Sequence, residues 1–142
     1  MFAAGSVDGE IKIFDVKTGD NAANFSEAGP LQSLNFSENG IWLAAATQGS
    51  SNVSIWDLRK ATQIKQVNTG GPVTDVKWDY TGQFLASAGP GGMSVQQYVK
   101  ASKSWTEPLR IALPSVAVEW GPKAQSLIGL SEEGAVTVLK AP

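Results

Sequence analysis

The chain has 142 residues, of which 42% are hydrophobic and 17% charged, with 15 glycines and a formal charge of -2. That leaves room for one domain with a real core and little for two, and it excludes a disordered or strongly polyionic chain. There is no cysteine and no histidine, and 11 basic residues are outnumbered by 13 acidic ones, so disulfides, thiolate and imidazole catalysis, common zinc sites and direct nucleic-acid binding are all disfavoured.

The opening segment, MFAAGSVDGEIKIFDV, reads as two short strands about a turn at Asp8, and it has no basic stretch followed by a long apolar one, so it is not a signal peptide. No apolar run approaches the roughly 20 residues that span a bilayer, and an intracellular chain without a membrane partner is expected. NAANF is a weaker strand. LQSLNF then places Leu34 and Phe36 on one face, followed by the SENG turn, a strand through Leu43 and Ala45, the strand NVSIWDL, and ATQIKQV.

The same order returns: Val76 and Trp78 on one face, the DYTG turn, a strand through Leu85, a strand ending near Tyr98, and WTEPLRI. Pro108 cannot donate to a ladder, which suits an outer edge strand and not a central one. A third round brings Val118 and Trp120, the GPKA turn, a strand through Leu127, and AVTVLK. Turn residues intervene too often for helices.

These rounds share a period. Phe14-Asp15 and Trp56-Asp57 are 42 residues apart, Tyr98 follows Trp56 by 42 and Leu139 lies 41 further; Phe36, Trp78 and Trp120 repeat at 42, as do Leu43, Leu85 and Leu127. Ala45, Ser87 and Gly129 are the small residues of the same series. Four short strands per unit, each unit stacking its apolar faces on its neighbours, predict an all-β chain of β-propeller blades. The units are expected at residues 1–30 (partial), 31–71, 72–113 and 114–142 (partial). Met1 overlays on Leu43, so the first unit is expected to lack its innermost strand. Because propellers close with about 4 to 8 blades, the chain is expected to be the C-terminal portion of a longer ring, one of seven blades, or else to self-associate through open edges.

Phe14-Asp15, Trp56-Asp57, the 42-residue spacing and the turns before the third strands resemble the WD-repeat family. The departures are also clear: FSEAGPL and NTGGPV stand where that family has Gly-His, so no His-Asp network can form and packing is expected to replace it. More narrowly, DGEIKIFDVKTGDNAANF, FSENGIWLAAA, SSNVSIWDLRK, TGQFLA and SWTE resemble the propeller of a family of nuclear splicing factors, in a fungal or similarly divergent form. That resemblance implies a docking platform in a spliceosome-associated ubiquitin-ligase subunit, whose U-box and tetramer-forming coiled coil are not in these residues. It implies nuclear localisation, protein subunits of a spliceosomal complex as partners, RNA reached only indirectly, no cofactor, and no catalysis by this chain.

Individual residues divide between architecture and recognition. Phe14, Asp15, Phe36, Trp56, Asp57, Trp78, Tyr98, Trp120 and Leu139 are expected to be structural marks of the repeat. Ser50, Ser51 and Asn52, with the loop at 89–92, are expected on one face of the ring, where propeller loops meet partners. Asp57 can accept backbone donors in the following turn. Trp56, Asp57 and Arg59 together also resemble the segment by which some WD-repeat substrate receptors dock on a cullin-ligase adaptor, the alternative function here. Trp105, on an outer strand, is a candidate contact or a cover for the blade's flank. Gln97 falls in the register of Ile13, Ile55 and Val138 and needs a partner or exposure. Asp75 with Asp79, and Glu132 with Glu133, lack the nucleophile, metal cage or phosphate loop that an enzyme site requires.

Overall fold

A computed structural model of the chain describes residues 1–140; the expected fourth unit runs two residues past them, outside the described residues. Among the described residues, fourteen strands form four antiparallel sheets. The first holds β1 (Phe2–Gly5), β2 (Glu10–Phe14) and β3 (Asn21–Ser26); the second holds β4 (Leu31–Phe36), β5 (Trp42–Thr47), β6 (Asn52–Asp57) and β7 (Thr62–Asn68). The third holds β8 (Asp75–Trp78), β9 (Phe84–Gly89), β10 (Gly92–Val99) and β11 (Ser104–Ile111), and the fourth β12 (Ala117–Trp120), β13 (Ser126–Leu130) and β14 (Val136–Lys140). Each sheet is a meander in chain order, so every connection within it is a hairpin. No helix among the described residues is long and apolar enough to cross a membrane.

Three cores lie between successive sheets. Ile11, Ile13 and Phe25 of the first meet Leu43 and Ala45 of the second; Ala44, Val53 and Ile55 meet Val76, Trp78 and Leu85; and Met93 and Val95 meet Val118 and Leu127. Alternation along each strand sends one set of side chains to each neighbour, so β5, covered on both sides, buries Leu43 to Ala46 without a break. Its run of alanines lets the adjacent sheets approach closely. Between the first and second strands of the middle sheets, SENG and DYTG fold into the same turn: Gly40 and Gly82 take positive φ (70° and 73°), and Ser37 and Asp79 accept from the strand that follows.

Strand pairing corrects the expected register of the third unit. Leu43 lies opposite Trp56, Leu127 opposite Leu139 and Phe2 opposite Phe14, but Leu85 lies opposite Gln96. The third-sheet equivalent of Trp56 is therefore Gln96, not Tyr98. Val95, not Gln97, holds the place of Ile55, and Gln97 stands opposite Phe84 as Asp57 stands opposite Trp42. The cause is the β9–β10 hairpin, in which Pro90 and Gly91 alone join the strands where residues 48–51 join β5 to β6. A shorter turn advances every later residue by two. In the first sheet the same comparison puts Phe2, not Met1, in the place of Leu43.

The outer strands pair through a recurrent irregularity, at Ile13/Phe14, Ile55/Trp56 and Val95/Gln97. In the third sheet Pro108 falls in this gap, on edge strand β11, so its missing N–H leaves no ladder position empty.

Polar links between sheets are present despite the missing Gly-His. Along β4, β8 and β12 they recur at a separation of 43 residues: Trp78 N–H donates to Asn35 Oδ1 at 2.8 Å, Val118 N–H to Asp75 Oδ2 at 3.0 Å, and Trp120 Nε1 to the Lys77 carbonyl at 3.0 Å. Asp75 also accepts from Ser33 Oγ at 3.3 Å, tying three sheets together through one carboxylate. Beside the packing of the three cores, these polar links fasten the innermost strands to one another.

Candidate interaction surface

Strand β6 separates the residues singled out around it. Ser50, Ser51 and Asn52 sit at its start and Asp57 and Arg59 at its end, so they do not form one site. The loop residues are also structurally engaged: the Ser50 carbonyl accepts from Val73 N–H at 3.2 Å, the Ser51 carbonyl from Thr69 Oγ1 at 2.8 Å, and Asn52 Oδ1 from Asn68 Nδ2 at 3.3 Å. They pin the strand entering the third sheet.

Asp57 is buried and accepts from the backbone N–H groups of Arg59 (2.9 Å) and Lys60 (3.2 Å) and from the Arg59 guanidinium (3.2 Å). Burial pushes its carboxyl up, but the Arg59 and Lys60 donors outweigh it and hold the group below the usual aspartate range. Asp15 closes its own turn similarly, accepting from Lys17 N–H at 2.8 Å. The Arg59 side chain is 63% exposed, yet its charge is spent on Asp57.

Trp56 stacks on Phe25 with centroids 4.8 Å apart and donates its indole N–H to Glu27 at 2.7 Å, while Glu27 also accepts from Ser54 Oγ at 3.1 Å. Trp105 joins Trp42, Trp78 and Tyr98 in an aromatic cluster, 5.7 Å from Trp42 and 5.3 Å from Tyr98, so its ring covers a flank. On the outer strand beside it, Glu107 accepts from Arg110 at 2.6 Å and from Gln96 Nε2 at 2.7 Å; the Arg110 guanidinium holds its carboxyl low, and Glu107 in turn raises Arg110.

One recess was not legible in advance. A groove of about 430 Å³ opens between the third and fourth sheets, lined by Leu113, Pro114, Val116, Glu132, Glu133 and Thr137 among others. The corresponding seam between the second and third sheets holds only about 10 Å³. One position separates the two seams. Leu31, Val73 and Ser115 each donate a backbone N–H to the preceding sheet's hairpin (3.1, 3.2 and 3.0 Å), but only Ser115 is small and polar. Gly129, where the other sheets have Ala45 and Ser87, makes room for the buried Met93 side chain, whose Sδ would lie 2.6 Å from a Cβ there. A second recess, about 370 Å³ and more polar, lies at the other end of the inner strands, near Glu38, Lys77, Tyr80 and Glu119.

No group of three or more Asp or Glu that could hold a metal occurs among the described residues, and the chain has no Cys or His.

Four meandering sheets stacked through paired apolar faces, with their first strands side by side, define a domain of the β-propeller class. The chain belongs to the family described as eukaryotic translation initiation factor eIF2A, whose model matches residues 1–96. Its fold is similar to the β-propeller domain of Myceliophteria thermophila Cps50 (Swd1), at 22% identity and a TM-score of 0.81 over 98% of this chain and 48% of that one. A chain of the Mitotic Checkpoint Complex matches at 15% identity and a TM-score of 0.82, covering 98% and 45%. Among curated proteins, Pre-mRNA-processing factor 19 of Schizosaccharomyces pombe is 33% identical over 54 residues, which is 37% of this chain and 11% of that protein. The chain thus spans just under half the length of the solved structures and about a tenth of the curated relative. The stacked sheets carry loops and recesses at both ends of their strands.

Proposed function

We propose that this scaffold acts in pre-mRNA splicing, as the protein-docking domain of a spliceosome-associated ubiquitin-ligase subunit, and that it works in the nucleus. The single supporting observation is the 33% identity to Pre-mRNA-processing factor 19 across 54 residues. RNA is reached through protein partners, in keeping with the net charge of -2. The chain supplies binding and no ligase chemistry, and copies of it associate through their uncovered sheet faces.

The test is affinity capture with the tagged chain from nuclear extract, read by mass spectrometry. Recovery of splicing proteins above a scrambled-loop control is expected. A second reading, docking in translation initiation, rests on the family match across residues 1–96. Recovery of initiation factors and ribosomal subunits, with splicing proteins at background, would replace the first reading by the second.

A further inference from the structure

We infer that the groove between the third and fourth sheets is the docking site for an extended segment of a partner protein that carries apolar side chains next to lysine or arginine. This rests on the scaffold reading and gives it a location and a ligand chemistry.

The chain contains three versions of the same seam, and each is finished differently. Between the first and second sheets, Glu27 reaches across and is held by Ser54 Oγ and Trp56 Nε1 at 3.1 and 2.7 Å. Between the second and third, glycines close the gap: a Cβ on Gly71 would lie 3.7 Å from the Gly91 Cα, and one on Gly89 would collide with the Pro72 carbonyl. Between the third and fourth, the equivalents of Ser54 and Trp56 are Thr137 and Leu139. Neither draws in a neighbour's carboxylate, and Ser115 is smaller than Val73 at the equivalent position. The seam stays open at about 430 Å³, within the range of ligand pockets of about 300 to 1,000 Å³.

The lining specifies the occupant. Leu113, Pro114, Val116, Pro90 and Ala135 offer apolar surface. Three of the four hydroxyls lining the groove are engaged: Thr74 Oγ1 donates to the Val116 carbonyl at 2.9 Å, Ser115 Oγ to the Leu113 carbonyl at 3.0 Å, and Ser131 Oγ accepts from Ala135 N–H at 3.1 Å. Glu132 and Glu133 stand exposed at the lip; among the described residues neither forms an ion pair, and no lining residue is basic. These carboxylates repel phosphate and attract ammonium or guanidinium. Apolar depth with an anionic lip therefore fits a peptide alternating apolar and basic side chains.

The experiment uses the 142-residue chain and three fluorescein-labelled peptides of equal length, alternating Lys-Leu, Glu-Leu and Lys-Ser, with binding followed by anisotropy. The Lys-Leu peptide is expected to bind, with the other two at least about tenfold weaker. Ser115→Val restores the residue type of Val73 at the equivalent position and narrows the groove; it should weaken Lys-Leu binding about tenfold or more. E132Q/E133Q should weaken it by about fivefold to tenfold and abolish most of its salt dependence. The double glutamine variant alters only an exposed loop, so it decides the matter even if Ser115→Val does not fold. Equal binding of Lys-Ser and Lys-Leu peptides, or unchanged binding by E132Q/E133Q, would overturn the inference. Recovery of one and the same set of proteins from extract by wild type and E132Q/E133Q would also overturn it, while leaving the scaffold reading intact.

Discussion

Trp78 grips Asn35 at two points across the seam between the second and third sheets: its backbone N–H donates to the Asn35 side chain at 2.8 Å, and its indole N–H to the Asn35 carbonyl at 3.1 Å. Trp42, 5.7 Å away in the same aromatic cluster, has a buried indole N–H with no partner. The two tryptophans should respond differently to loss of that group. Trp78→Phe is expected to destabilise by about 1 to 2 kcal/mol, and Trp42→Phe by less, because no hydrogen bond is lost and an unsatisfied donor is removed. Chemical denaturation midpoints of the two variants check the order.

Glu27 serves both Trp56 Nε1 and Ser54 Oγ. Glu27→Ala leaves both donors without an acceptor and should cost about 1 to 3 kcal/mol, whereas Glu27→Gln keeps one oxygen acceptor and should cost less. Thermal unfolding distinguishes them, and adding Trp56→Phe to Glu27→Ala should cost less than the sum of the two single changes.

Asp57 makes stability depend on pH. Its folded pKa lies below the unfolded value of about 3.9. The native state therefore favours the carboxylate, and this contribution is complete above about pH 5 and is lost as pH falls through the folded pKa. Asp57→Asn should be destabilising by about 1 to 3 kcal/mol at neutral pH. The gap to the wild type should shrink below about pH 4. Unfolding curves across that window, with salt held constant, measure it.

The end sheets leave apolar faces open. Val136 and Val138 are 64% and 52% exposed, while Val53 and Ile55, at the same strand positions of the second sheet, are 0% exposed. Phe2 is likewise exposed where Leu43 is buried. Self-association through these faces is expected to grow with concentration and to fall in the Val136→Lys, Val138→Lys double variant. Sedimentation velocity across a concentration series checks this, and a wild-type monomer throughout would refute it.

The first half of each repeat could be read from the chain because its landmarks are set by local needs. A turn such as SENG or DYTG demands particular residues, and Leu43, Leu85 and Leu127 must all be buried at the same point after it. The second half is offset by two residues in the third sheet, since a hairpin can lose residues without disturbing either strand, and Tyr98 keeps an aromatic at the 42-residue spacing without holding the place of Trp56. Asp57 and Arg59 lie at a strand end in the sequence, but the burial of the carboxylate and its capture of the guanidinium are visible only in space. The groove escaped because it is a difference of volumes among Leu31, Val73 and Ser115. Comparing those residues requires knowing that their backbone N–H groups are equivalent. Serine in a polar loop carries no such signal by itself.

The bonds along β4, β8 and β12 give the molecule a hub. Each inner strand is fastened to the next by links that involve neither the hairpins nor the outer strands. Fraying should therefore advance inward from the rim, with amide protons of β7 and β11 exchanging with deuterium first and those of β8, held from both sides, among the last. Repair and wear are then separable in this architecture: the periphery can loosen, refit against a new neighbour or be clipped, while the axis keeps the sheets in order.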